Sequence, residues 1–568
     1  MFLHKSKRPD GRIYLTLMKK ESVNGVYKNR TVKSLGYLCD LEKDYPDPIV
    51  HFKKYCEDQN EKDRQNNQVV NIKIFPNQQI SKKNPPMRKN LGSSVLLKIY
   101  NSLNIERTIR NATAGKKFDF DLSAVLRLLT CDRILNPSSK LNAFENKDTY
   151  FFRTDFKLHD IYRALDYLCD TKHKIISAMN RSIAAQGLRD TGSVFYDVTN
   201  YYFEIDDTDD LRKFGCSKEH RKSPIVQMGL LQDKNGIPIT YKLFPGNVND
   251  CMTLLEVLPD MKKDFNVDRV IVVADKGNNC STNIAACVGK GDGFVYSQSI
   301  RGTKSNKDLR SWVLNDSGYA VNSDGSFKIK SKQYDKEITI TNIHGKKVKH
   351  KIPVKVVAFW SRKYQQRARS EREKTLHKAE NLINNPSNYT ASSNFGAAKY
   401  VKGFKVDTDT GEVLEGKQVL EFDNERLTQD EMCDGYYCII TSETKMPDQE
   451  IIDTYKQLWR IEESFKVTKS DLQARPVYLS KPKHIEAHFL SCYISLCILR
   501  LLQLKTDYKY SARQIADDLK KMNGTNVDEN WWMFDHRTDI SDKLANSVGL
   551  NLRKRNMQLI EIKKIFSK

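Results

Sequence analysis

The sequence predicts an α/β protein, and three observations lead there. Between residues 193 and 300, short apolar runs rich in β-branched residues alternate with amphipathic segments of helical length. Two of those runs, "SVFYDVTNYYFE" (193–204) and "DRVIVVADKG" (268–277), each present one acid in apolar surroundings, Asp197 and Asp275. Far downstream, "YKQLWRIEESFKVTK" (455–469) has the spacing of an amphipathic helix and carries two adjacent acids, Glu462 and Glu463.

Taken in order, the chain opens on two alternating runs, "RIYLTLMKK" and "RTVKSLGYL", separated by "ESVNGVYKN" with its Asn24-Gly25 turn signal. Two polar stretches, "EDQNEKDRQNNQ" and "PNQQISKKNPPMRKN", then read as linker. Residues 1–87 are thus expected to form a basic β-hairpin and linker region in contact with DNA. Residues 88–190 turn helical ("SSVLLKIYNSLN", "LSAVLRLLTCDRIL", "DIYRALDYLCDTKHKIISAMNRSIAAQ") and suit either a DNA-binding domain or a structural bundle. Within 191–300 the order is strand, hairpin around Asn235-Gly236, helix, strand, helix, strand. A long mixed region, 301–433, follows and contains the basic helical run "SRKYQQRARSEREKTLHKAENLI". The strand "DGYYCIIT" and the Glu462 helix fall in 434–505, and 506–568 reads as helical and polar, suited to dimerisation.

Composition narrows the partner. With 94 Lys+Arg against 71 Asp+Glu, the net charge is +23, which favours a polyanion, nucleic acid above all. Residues 1–117 hold 24 basic and 11 acidic side chains, so the excess is concentrated at that end. The twelve cysteines form no C-x-x-C pair, which argues against a zinc finger or a disulfide scaffold and for a reduced, intracellular protein. "MFLHKSKRPDGR" lacks the apolar core of a signal peptide. "HFLSCYISLCILRLLQL" (488–504) is short for a membrane span and interrupted by Arg500, so a buried helix is expected. "HIEAH" (484–488) sets two histidines at i,i+4, but its Glu486 is misplaced for a zinc hydrolase.

The acids carry the chemistry. An acid in an apolar strand must be solvated, hydrogen-bonded or liganding a cation. Two carboxylates on neighbouring strands repel unless a cation lies between them, and oxygen ligands suit Mg²⁺ or Mn²⁺. At about 100° per residue, Tyr455, Trp459, Glu462, Lys466 and Lys469 share an arc of roughly 80°. The apolar stripe Leu458, Ile461, Phe465 and Leu472 runs beside it. Glu462 is therefore the inward acid, and Glu463 is expected to turn toward solvent as a bystander.

"YDVTNYYFE", "VIVVADKG" and "YKQLWRIEESFKVTKSDLQARPVYL" together resemble the catalytic segments of DDE transposases of bacterial insertion sequences. More narrowly, they resemble the insertion-sequence-four-like branch with its Y-(2)-R-(3)-E-(6)-K signature. Tyr455, Glu462 and Lys469 fit that spacing; Leu458 stands where the signature has arginine, with Arg460 two residues on. The resemblance spans about 190–505. It implies an RNase H-like core in two parts, 191–300 and 434–505, interrupted by a β-rich insertion domain, 301–433. It also implies Asp197, Asp275 and Glu462 as catalytic acids and ligands of two Mg²⁺ (or Mn²⁺) ions, with phosphate contacts from Tyr455, Arg460, Lys466, Lys469 and Arg475. Trp360 could stack on a displaced base, as an insertion-domain tryptophan does in some relatives, or sit in a core. The implied partners are double-stranded DNA, as terminal inverted repeats and target, and a second copy of the chain, in a prokaryotic cytoplasm at the nucleoid. The alternatives are an RNase H-like nuclease without strand transfer and a non-catalytic DNA-binding derivative.

Overall fold

The computed structural model describes residues 1–23, 26–66, 88–215, 223–265, 269–301, 307–341, 346–406, 413–528 and 530–567. Two units divide the chain, Met1–Lys82 and Lys83–Lys568. In the first, β1 (Phe2–Lys7), β2 (Ile13–Val23) and β3 (Val26–Tyr37) form an antiparallel sheet in that order. Leu15 and Leu17, two apart on β2, are buried, as a period of two requires. Arg8 and Arg12 lie over the rings of Tyr14 and Tyr37 at 4.8 and 4.2 Å. The Asn24-Gly25 turn signal and residues 76–87 of the expected linker lie outside the described residues.

The first polar stretch is not linker. A helix, Pro48–Asn66, runs through it. Proline at its first position and a following run of Lys, Glu, Gln and Arg without glycine sustain the helix despite the polarity.

In the second unit, β4 (Arg88–Asn90) precedes five helices, Ser93–Ser102, Ile105–Ala112, Leu122–Leu135, Lys140–Glu145 and Leu158–Ala185. The main sheet is built from β5 (Ser193–Tyr202), β6 (Ile225–Asp233), β7 (Pro238–Pro245), β8 (Ile271–Ala274), β9 (Gly293–Ser297), β10 (Ala320–Val321), β11 (Phe327–Thr341) and β12 (Lys347–Ser361). After a separate hairpin of β13 (Val401–Val406) and β14 (Val413–Phe422), β15 (Tyr436–Thr441) completes it. The order across the sheet is β10-β11-β12-β15-β9-β8-β5-β6-β7. β5–β8 and β8–β9 pair parallel, and the other pairs are antiparallel. The long β11–β12 hairpin, from the region between the second and third acids, thus extends the same sheet through β15.

Both faces of this sheet are covered, and successive residues divide between two cores. Phe195, Val273, Val295 and Ile439 join the core that includes helices Leu122–Leu135, Leu158–Ala185 and Pro482–Lys505. Their neighbours Val194, Tyr196, Val272, Ala274, Phe294 and Ile440 join the opposite core. All nine residues of β6 are buried, as expected of a strand covered on both sides. Helix Pro482–Lys505 is the one described helix long and apolar enough to cross a membrane, and it is almost wholly inside this core. The helices of 88–190 share that core with it.

The segment after 505 is not purely helical. β16 (Asn523–Asp528), β17 (Trp531–Phe534) and β18 (Asn556–Gln558) join β4 in an antiparallel sheet ordered β18-β17-β16-β4. The aromatic run "WWMF" supplies the strand, and Trp532, Phe534, Met557 and Leu91 make its small core.

Candidate active site

The alternation along the strands decides which way the acids point. On β5, Asp197 is two residues beyond Phe195; after β8, Asp275 is two residues beyond Val273. Phe195 and Val273 are register partners in the parallel pair and lie in the same core. Carrying that register two residues on sets Asp197, midway along β5, level with Asp275, just past the end of β8, on the same sheet face. Asp197 Oδ1 accepts the N–H of Val198 at 2.7 Å. Asp275 Oδ1 accepts that of Gly277 at 2.7 Å and caps the turn Lys276–Asn278.

The third acid comes from the helix Trp459–Lys466, which packs against β5. Ile461 and Phe465 bury their side chains in the core shared by Phe195 and Val273. Each contributes roughly 1.5–3 kcal/mol of burial and fixes the helix rotation. Glu462 is exposed and lines a cleft of about 520 Å³ together with Asp275, Tyr455 and Leu458. The cleft lining does not include Asp197.

Sequence reasoning missed several cleft residues. Ser297 ends β9 at the same parity as Val295, and Tyr437 lies on β15 at the parity of Ile439; the period of two could have found both. Ser297 hydrogen-bonds the Tyr455 phenol, whose pKa is pushed up to about 12, mainly by burial and further by Asp275 and Glu462 nearby. Tyr437 stacks on Phe359 with ring centroids 5.6 Å apart, and Tyr364 packs against Tyr437. Arg301 and Arg372 share the buried Asp434, with Arg301 Nη2 3.1 Å from Oδ1. Arg372 also pairs with Glu431 at 3.4 Å, so the two arginines are held by two carboxylates at the cleft wall. Trp360 donates its Nε1–H to the Asp434 carbonyl at 3.2 Å, and its ring packs on Gly435.

The stretch 455–469 is not one helix. Asp448–Lys456 ends before Gln457 and Leu458, Trp459–Lys466 follows, and Val467–Asp471 forms a π turn. Tyr455 therefore lies on a separate helix from Glu462, whereas Lys469 lies on the π turn that continues the Glu462 helix. Tyr455 still reaches the cleft, and Lys469 lies 5.5 Å from the Tyr201 ring. Leu458, at the junction, is buried in the core. Arg460 points elsewhere: its Nη1 donates to the Lys234 carbonyl at 2.8 Å, and its guanidinium lies 5.2 Å from the Tyr508 ring. Lys466 is exposed, and Arg475 stands 5.3 Å from the Tyr202 ring.

Glu463 is not a solvent-facing bystander. It is less exposed than Glu462, and its Oε2 accepts from Arg500 Nη1 at 3.0 Å. The helix register turns it toward Pro482–Lys505, where a buried arginine needs a counter-charge. The two histidines of "HIEAH" are engaged as well: His484 faces Asp166 at 3.3 Å, and His488 faces Lys140 and the Ala474 carbonyl.

Three carboxylates offer hard oxygen donors, a set chemically suited to Mg²⁺ or Mn²⁺. Among the described residues, however, no three His, Cys, Asp or Glu side chains are placed to hold an ion. The fit is one of residue type and backbone position rather than of side-chain convergence.

A family model described as a transposase DDE domain matches residues 203–498, more than half of the chain. The chain belongs to the DDE-domain transposase family. Asp275 and Glu462 fall inside the matched span, and Asp197 lies just before its start. No curated protein matches the chain.

Proposed function

We propose that this chain is a cut-and-paste transposase with an RNase H-like core, cleaving DNA at element ends and joining the freed 3′-OH to target DNA. Asp197, Asp275 and Glu462 are its catalytic acids in this reading. One observation carries it: the strand alternation turns both aspartates to the sheet face on which the Glu462 helix packs. The order β7-β6-β5-β8-β9, with two antiparallel strands beside three parallel ones, supports the RNase H-like assignment.

The three carboxylates would hold two Mg²⁺ or Mn²⁺ ions, which when bound stabilise the attacking and leaving oxygens of an in-line phosphoryl displacement. The chain's own residues bind and orient the DNA. Arg301 and Arg372 line the cleft, and the exposed Lys276 stands beside Asp275. Lys466 and Lys469 extend the basic surface along the Glu462 segment, and such contacts fix register on the backbone rather than read sequence. Tyr364 and Tyr437 present rings on which an unstacked base can rest. Tyr455, Glu462 and Lys469 support membership of the insertion-sequence-four-like branch, with Leu458 as its departure. Two copies acting on paired ends complete the reading.

A labelled duplex carrying the element's terminal inverted repeat tests this with the full chain and Mg²⁺. Cleavage at the end followed by joining of the 3′-OH to a second duplex is expected. Cleavage without joining would reduce the protein to a nuclease.

A further inference from the structure

A second basic site, lined by none of the three acids, lies where helix Leu122–Leu135 and the start of helix Lys140–Glu145 meet the segment 473–479. It is a cavity of about 230 Å³ whose lining includes Arg133, Ser139, Lys140, Arg475 and His488. Arg133 and Lys140 are each only 6 % exposed. Arg133 gives its terminal nitrogens to the carbonyls of Leu472, Gln473 and Ser138, and its Nε has no partner. Lys140 Nζ meets the ring nitrogen Nδ1 of His488, whose Nε2 faces the Ala474 carbonyl at 3.1 Å. That arrangement puts the imidazole proton on Nε2 and leaves Nδ1 as a neutral acceptor.

Neither cation has a carboxylate partner within ion-pair distance among the described residues. The nearby Asp132 turns instead to the Tyr150 hydroxyl at 2.9 Å and Ser138 Oγ at 3.2 Å. Two buried cations without a counter-ion are costly, and an anion in the cavity removes that cost. Burial first, and then Arg133, pushes the Lys140 ammonium down to about 7. Ser139 Oγ accepts from the Asn142 N–H at 3.1 Å, so its own proton is free to be donated.

We infer that this pocket binds a phosphate group, held by Arg133, Lys140 and the Ser139 hydroxyl. Its source is either a backbone phosphate of bound DNA or free inorganic phosphate. The DNA source rests on the function proposed above, whereas binding of free phosphate does not.

Thermal unfolding of the full chain in inorganic phosphate, against chloride at matched ionic strength, tests the site. A rise in Tm with phosphate is expected, kept in the exposed control Lys543→Met and lost in Lys140→Met. Ser139→Asp is the second variant: aspartate preserves the helix cap and places its own anion at the pocket, so the rise is lost without loss of folding. In the DNA arm, the slope of log Kd against log salt falls by about one in Lys140→Met if the phosphate is the backbone's. A lost Tm rise with an unchanged slope assigns the pocket to free phosphate. A changed slope without a Tm rise in the parent assigns it to DNA alone. No phosphate-specific rise in the parent, or a rise that both variants keep, together with an unchanged slope, overturns the inference. The inorganic-phosphate arm uses neither DNA nor cleavage, so its failure and the failure of the proposed chemistry are separable.

Discussion

Arg500 Nη1 donates to Glu463 Oε2 at 3.0 Å, joining the long buried helix Pro482–Lys505 to the helix that carries Glu462. The guanidinium also donates to Ser464 Oγ, to Gln503 Oε1 at 2.9 Å and to the Arg460 carbonyl. Gln232 of β6 reaches the same Ser464 hydroxyl. The acid next to the proposed catalytic one is therefore structural, and the buried arginine that interrupts an otherwise membrane-like run is its partner.

The two neighbouring glutamates should separate cleanly. Glu463→Ala strands a charge that is 2 % exposed; because Glu463 itself is 30 % exposed, the loss should be about 1–3 kcal/mol rather than the larger cost of a fully buried pair. Glu463→Gln keeps a hydrogen bond and should retain end cleavage. Glu462→Gln, on an exposed position, should leave urea unfolding unchanged while end cleavage disappears.

Arg460 should behave as a clasp on the β6–β7 hairpin rather than as a DNA contact. Arg460→Ala removes the bond to the Lys234 carbonyl and the packing on Tyr508. The expected loss is about 1 kcal/mol in denaturant unfolding, with Kd for duplex DNA and its salt slope unaltered. A reduced slope with unchanged stability would return Arg460 to the DNA-binding surface.

Gly435, at the cleft, holds φ +82°, and a Cβ there would come within 2.6 Å of Trp360 Nε1. Gly435→Ala should cost about 2 kcal/mol or more, since strain and overlap act together. Loss of the 3.2 Å bond from Trp360 to the Asp434 carbonyl should appear as altered tryptophan fluorescence.

Lys140 sets a pH dependence of stability. Its folded-state pKa is lowered from 10.5 to about 7, so between those values the unfolded chain binds more protons. This contribution to stability is full above about 10.5 and is lost as pH falls to about 7, with a slope of up to about 1.4 kcal/mol per pH unit. Lys140→Met should flatten that slope in denaturant unfolding followed across the window.

Much of the site was legible because β-strand alternation and helix periodicity are local. The apolar stripe of Ile461 and Phe465 is buried as the helix periodicity predicts, and the apolar runs around Asp197 and before Asp275 are strands. Glu463 was misread because its partner lies far along the chain, and one helix's periodicity cannot announce a buried arginine on another. The break at Gln457–Leu458 was equally hidden, since no Gly or Pro marks it. Polar composition concealed the Pro48–Asn66 helix, and the C-terminal sheet is completed by Arg88–Asn90 pairing with Asn523–Asp528, again a non-local cause.

The central claim is that Asp197, Asp275 and Glu462 form one catalytic set. The most direct measurement is Mg²⁺-dependent cleavage of a terminal-repeat duplex by Asp197→Asn, Asp275→Asn and Glu462→Gln, each checked for native unfolding and end binding. All three should bind the end and fail to cleave it; parent-level cleavage by any one of them contradicts the set.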